Sequence, residues 1–458
     1  MSRAVFVQGS TMRHVLVMTS ASSVGLLAMF AVDVVDLYFL TLLGDQAIIA
    51  AVGFAGTLLY FLMSLGIGLQ IALGALVARA EGAGERELAG RYCSSTLIFN
   101  ALCSGLLAYA VWCWLPQLLA LLGASGRALD YALAYARIQL PAVPVLVLAM
   151  SFGAGLRAVG DARRYMLATV SGAAVNALLD PLFIFHFGWG IEGAAWASVA
   201  ARLVVCSITA GVLLRRHRLP RRVSARQALA DVPVILVIAL PAVLTNLATP
   251  LGNSLVLRIM ADFGDGAVAV LAVLARVTPV AFAAVFALSG AIGPIVGQNA
   301  GACRYDRVRD ALLNAGLFIV VYVGVVWLLL QLLTGHIAAL FTASEVAAEL
   351  LRFYLAFLVW AFALNGLLFA ANASFNNLGL AYLATLFNYA KVLLGIVPAA
   401  WLFARWYGAS GVLLGEALGM ALWGVLGILS ALALVRSLQR RYPPLQLEPG
   451  AAAAAESR

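Results

Sequence analysis

Asp33, Asp36, Asn176 and Asp180 are the side chains of this 458-residue chain whose types and spacing can do chemistry. Asp33 and Asp36 are three residues apart and Asn176 and Asp180 four, so each pair occupies one face of a helix. Both pairs lie inside long apolar runs, VDVVDLYFLTLL and VNALLDPLFIF. An ionisable group at membrane depth is expensive, so it marks an ion or substrate pathway by default. Carboxylates crowded in a low-dielectric cavity resist ionising together, which is the property a proton carrier uses. Pro181, directly after Asp180, lacks a backbone donor, which predicts a kink that frees carbonyls for a cation or water.

The elements that must position these groups follow from composition. With 64% hydrophobic and 11% charged residues, the chain is an all-α polytopic membrane protein. Its net charge of +9 does not imply a nucleic-acid partner, because the basic residues sit in short loops between apolar spans and form no face or arm. A bilayer-spanning helix needs about 20 apolar residues. That rule gives twelve spans, at 15–43, 47–78, 91–115, 129–156, 164–187, 191–214, 232–261, 266–297, 308–333, 347–376, 381–404 and 409–435. The first span is too long for a signal-peptide core and is expected to be retained. Cys93, Cys103, Cys113, Cys206 and Cys303 form no CxxC pair and read as packing residues.

Arginines collect in alternate loops. One side carries Arg79, Arg86, Arg91, Arg157, Arg163, Arg164, a cluster from Arg215 to Arg226, Arg304, Arg307 and Arg436, while the other has few, among them Arg127 and Arg405. Both termini are therefore expected in the cytoplasm of a cell whose inner, or plasma, membrane holds the protein. The basic loop 215–231 divides an amino-terminal lobe, 1–214, from a carboxy-terminal lobe, 232–438, and a polar tail at 439–458 is expected to be disordered. The lobes repeat each other: LLGDQAIIAAVG at 42–53 parallels DFGDGAVAVLAV at 262–273, VARAEGAGE at 77–85 parallels VGQNAGACR at 296–304, and Gly190 and Gly193 match Gly408 and Gly411. Two six-span halves of equal orientation imply an axis along the membrane normal, with substrate between them.

On the motifs VDLYFLTLLGD, EGAGE, RAVGDARR, VNALLDPLF, GAAWAS and GQNAGA, taken in order on this doubled frame, the chain resembles the multidrug and toxic compound extrusion (MATE) transporters over about residues 10–438. The resemblance implies two pseudo-symmetric six-helix bundles in a V, alternating access, and export of organic cations or other amphipathic compounds in exchange for protons or sodium. The family's cation site in the first lobe matches Asp36, Asn176, Asp180 and, with serine in place of the more usual threonine, Ser198.

Geometry supports that placement independently. Asp36 and Asp180 each lie seven residues before the outer end of a span, and Ser198 seven residues into the next, about 10 Å deep at 1.5 Å per residue. Asp33 belongs to the same cluster or sits in a water-filled cleft. The second lobe differs. Its seventh span offers Asn246, Thr249 and Asn253 and its tenth Asn365, Asn372, Asn376 and Asn377, but neither holds an acid. Sodium-coupled members of the family carry acids there, so the resemblance points to the proton-driven branch. Lys391, the chain's single lysine, and Glu416, at the repeat position of Ser198, either neutralise each other or present Glu416 to the cavity. Tyr38, with Asn246, Asn253, Asn365 and Glu416, makes up the candidate substrate cavity. Phe54, Phe152, Phe375, Met63 and Met150 are further soft surfaces suited to amphipathic cations, though residues of these types also pack cores.

The expected function is thus proton-coupled efflux of small amphipathic or cationic compounds by a monomer in the lipid bilayer, with no cofactor beyond the coupling proton, or sodium in its place. The alternatives are a sodium-coupled exporter and a lipid-linked oligosaccharide flippase, against which an anionic first lobe argues. An intramembrane enzyme is not supported: His14, His186, His217 and His336 are scattered and no HExxH or GxSxG motif occurs.

Overall fold

A computed structural model describes residues 4–341 and 345–442; the expected disordered tail lies outside the described residues from position 443 onward. Helices joined by short turns and the linker 217–224 make up these segments, and the spans are Thr11–Thr41, Gln46–Gly82, Arg86–Cys113, Gly126–Ala158, Ala162–His186, Gly190–Arg216, Ala225–Ala261, Asp265–Gly301 in two pieces, Tyr305–Phe341, Glu345–Asn377, and a last stretch Ala381–Arg441. Gly408, with φ 59° and ψ −140°, breaks that stretch into the eleventh and twelfth spans. Its counterpart Gly190 also has a positive φ, 53°, at the turn into the sixth span. Both turns need a left-handed residue, and glycine adopts it without a Cβ penalty.

The eighth span departs from the single helix expected at 266–297. It stops at Ala281 and restarts at Ala283, with Phe282 between them at φ −108° and ψ 23°. Pro279 has no N–H to give to the Ala275 carbonyl, and the first piece ends with the Phe282 amide on the Thr278 carbonyl at 2.9 Å. The second piece, Ala283–Gly301, is the most enclosed of the apolar helices. A short helix, Leu115–Leu121, lies between the third and fourth spans, in the stretch that the apolar pattern assigns to neither.

In lipid the packing force between helices is close van der Waals contact, which small residues allow. Gly411, Gly415 and Gly419, four apart on the twelfth span, lie on the backbone of Phe403, Ala400 and Ile396 of the eleventh. Gly193 does the same on Phe183 in the first half, at the repeat position of Gly411. The two bundles meet where the first span packs on the second piece of the eighth, and where the second packs on both the seventh and the eighth. Phe6, Val15, Met18 and Ala21 join the core of the second bundle, while Ile235, Ile238 and Ala239 of the seventh span join that of the first. These exchanges lie toward the face that carries the termini.

Candidate functional site

Asn176 joins the two carboxyls. Its side-chain amide donates to Asp36 Oδ1 at 2.8 Å and to Asp180 Oδ2 at 3.1 Å. The fifth span thus reaches across to the first, and the Asp36 and Asp180 carboxyls also contact each other. Asp180 is fully buried and Asn176 is 3% exposed, so neither is a hydrated helix cap. Asp36 is half-buried and Asp33, one turn away, is exposed. Both hydrogens of the Asn176 amide are spent on carboxyl oxygens, yet Asp180 Oδ1 is buried without a partner. A buried acceptor left open in this way is ready for a proton or a cation.

The helix does change at Pro181. The α-helix ends there and the chain widens into a π-turn, Leu182–His186, closed by the Phe187 amide on the Leu182 carbonyl at 3.0 Å. A π-turn inserts one extra residue per turn, and such turns recur at functional sites. The same device appears at Val212–Arg216, Tyr354–Leu358 and Lys391–Ile396.

Ser198 is half-buried and lies against Tyr135 of the fourth span. Tyr135 also accepts from Gln139 at 3.3 Å, and Gln139 donates to the Ala195 carbonyl at 3.4 Å, fastening the fourth span to the sixth. One residue beside this cluster escapes the spacing argument: Arg202, four residues after Ser198 on the same helix face. Its guanidinium is within electrostatic reach of Asp33, Asp36 and Tyr135. The sequence does carry the signal, since Arg202 is a charge in the middle of an apolar run, but an argument built on acids and amides passes over it. The acidic cluster of the first bundle therefore has an embedded cation beside it.

In the second bundle Lys391 is 6% exposed, opens the π-turn and donates to Asn365 Oδ1 at 3.1 Å. Glu416 is within electrostatic reach of it, and Tyr354 of Glu416, but no ion pair within 4.0 Å joins Lys391 to Glu416 among the described residues. Asn365 is 6% exposed, so its carbonyl serves the lysine. Asn246 donates to its own helix at Ala242, Asn253 is exposed, and Tyr38 is 59% exposed. Asn388 donates to Asn372, and Asn376 Oδ1 has no partner.

At the face of the termini the bundles are tied by polar groups. Gln298 of the eighth span accepts from the Phe6 amide at 2.9 Å and donates to the Ala158 carbonyl at 2.8 Å. Arg307 donates to the Phe6 and Gln8 carbonyls, and Arg91 pairs with the buried Asp231, which also accepts from Ser95 at 2.7 Å.

Twelve apolar spans in two like bundles, with carboxyls held inside one of them, define a membrane transporter. The MatE family model matches residues 21–182 and again 241–401, once in each bundle, and the chain belongs to this family of multidrug and toxic compound efflux transporters. It is 28% identical over 419 residues to a protein named "FAD transporter" from Shewanella oneidensis, covering 90% of this chain and 92% of that one. It is 22% identical over 401 residues to the multidrug export protein MepA of Staphylococcus aureus, covering 85% and 86%. Among solved structures, the bent form of the Vibrio cholerae MATE transporter VcmN superposes with a TM-score of 0.88 at 25% identity, covering 94% of this chain and 98% of the other.

Proposed function

We propose that the chain exports amphipathic organic cations in exchange for protons, and that Asp36, Asn176 and Asp180 form the exchange site. The observation that carries this is the amide bridge: Asn176 holds two carboxyls together, and Asp180 keeps one buried oxygen open. A proton between such carboxyls replaces repulsion by a hydrogen bond, while an organic cation compensates them when the proton leaves. On charge grounds each cation that binds displaces a proton, which is the requirement for antiport. Asp33, Ser198 and Tyr38 border the path to this pair, and Pro181 with its π-turn supplies the bistable segment that alternating access needs.

The arginine distribution supports a plasma-membrane protein with both termini cytoplasmic. With that orientation, the ties at the face of the termini describe a state closed to the cytoplasm. The residues 1–214 and 232–438 act as the two moving lobes, joined by the basic linker, and nothing in the mechanism requires more than a monomer.

The test is efflux of a fluorescent organic cation from proteoliposomes under an imposed pH gradient. Asp36→Asn and Asp180→Asn should each abolish it while the protein keeps its melting temperature, and replacing sodium by choline should change nothing. Undiminished efflux in both variants overturns the site, and loss of efflux in choline overturns the proton. A second reading, export of a flavin dinucleotide, is favoured by the Shewanella relative and by the cation Arg202 in the first bundle. Flavin adenine dinucleotide loaded into the same vesicles separates the two.

A further inference from the structure

Arg202 has no role in the exchange scheme above, yet it sits beside it. It projects from the sixth span one turn beyond Ser198, and that span packs on the first, fourth and fifth. The titratable groups facing it are Asp33 and Asp36 from the first span and Tyr135 from the fourth; Asp180 of the fifth reaches it through its contact with Asp36. Arginine keeps its charge and has five donors in a fixed fork. Its Nη1 is sealed from solvent and has no hydrogen-bond partner, and no carboxylate lies within 4.0 Å of the guanidinium among the described residues.

A buried N–H without an acceptor is unfavourable, so a guanidinium in this position is held for a partner it meets in another state. The partners within reach are Asp33 and Asp36. We infer that Arg202 is a positioning residue of the exchange site: a built-in countercharge that neutralises one carboxylate of the Asp33, Asp36 and Asp180 cluster and so fixes how many protons the cluster holds at rest and how tightly. Three carboxylates and one guanidinium leave two negative charges, to be met by protons in one half of the cycle and by the exported cation, with or without a proton, in the other. When Asp36 is empty and ionised, Arg202 turns to it and fills the vacancy. When a proton or cation occupies Asp36, the guanidinium withdraws to the unpartnered position seen here. This inference rests on the reading of the cluster as the exchange site.

The experiment measures protons released by the purified full-length protein in weakly buffered detergent on addition of saturating tetraphenylphosphonium, across a range of pH. Arg202→Met removes the countercharge, so the cluster holds another proton at rest and holds its protons more tightly: the number released stays set by the charge of the bound cation, while the midpoint of release moves up by about one pH unit, the scale of a neighbouring charge. Arg202→Lys keeps the wild-type midpoint, which a merely structural role for the arginine fork would not predict. If Arg202→Met fails to fold, the double variant Asp33→Asn/Arg202→Met removes one charge of each sign and should recover folding. A folded Arg202→Met with the wild-type midpoint overturns the inference, as does a double variant that folds no better than the single. Failure of the exchange-site reading looks different, as proton release that persists in Asp36→Asn and Asp180→Asn.

Discussion

Gly82 and Gly301 are seated on each other's helices: a Cβ on Gly82 would land on the Gln298 carbonyl, and a Cβ on Gly301 on that of Arg79. Each glycine ends the helix of its bundle that runs toward the face of the termini, and the two contacts exchange under the repeat that maps VARAEGAGE on VGQNAGACR. The pseudo-symmetry axis therefore passes between them, and the bundles close there backbone to backbone.

This contact exists only while the two bundles are closed at the face of the termini, so a methyl group on either glycine should bias the protein toward the opposite opening. Gly82→Ala and Gly301→Ala are expected to act alike, each moving the equilibrium by about tenfold, or ~1.4 kcal/mol. Alkylation of a cysteine introduced by Ala78→Cys, a buried position at the same contact, in a background where the exposed Cys113 and Cys303 are replaced by serine, reads this directly: its rate should rise in both glycine variants. An unchanged rate in either shows that the contact yields without separating the bundles.

Asn176 should matter through both of its amide hydrogens. Asn176→Ala leaves Asp36 and Asp180 facing each other unbridged, and Asn176→Asp adds a third acid where a donor stood. Both should lower proton-driven efflux by at least about tenfold, the kinetic equivalent of ~1.4 kcal/mol. Asn176→Gln, which keeps the donor on a longer arm, should lose less. Equal losses in the glutamine and alanine variants would show that the bridge needs its geometry more than its donor.

What the sequence makes legible is whatever depends on local pattern. Apolar runs place the spans, the left-handed turns at Gly190 and Gly408 show as matched glycines, and the i, i+4 spacing of Asn176 and Asp180 correctly puts them on one face. Features set by packing are not legible in that way. The break at Phe282 follows a proline that many membrane helices absorb without breaking. The π-turn at Lys391–Ile396 has no residue signature, because one inserted residue is accommodated by neighbours rather than dictated locally. The choice of Lys391 between Asn365 and Glu416 depends on the relative rotation of three helices, and the position of Arg202 against Asp33 and Asp36 on that of two.

Outside the membrane, Asp161 anchors the turn between the fourth and fifth spans. Burial pushes its carboxyl up, but hydrogen bonds from His217 and Arg164 outweigh that and hold it below its ordinary 3.8. A depressed acid stabilises the fold above its unfolded value and loses that contribution as pH falls through the folded one. Asp161→Asn should therefore cost about 1 kcal/mol at neutral pH, given that Arg164 and His217 are partly exposed. The difference from wild type in thermal unfolding should close below about pH 4. A gap that persists in acid would assign the loss to packing in the turn instead.

Pro181 is where site and switch meet, because it follows Asp180 directly and begins the π-turn. Pro181→Ala restores an N–H that can close on the Ala177 carbonyl, which favours a continuous α-helix through Leu182–His186. Losing the inserted residue rotates everything beyond it by about 100°, one α-helical step. Phe183, which stacks with Phe187 and Trp189 and supports Gly193 at the head of the sixth span, would then leave its place. Asp180 and Asn176 lie before the turn and keep their bridge. The expected result is cation binding within about twofold of wild type but maximal efflux down by about tenfold, a barrier change of ~1.4 kcal/mol. Equilibrium binding and initial efflux rate measured on one preparation decide it: weakened binding at an unchanged maximal rate would mean that Pro181 shapes the site and that the switch lies in another span.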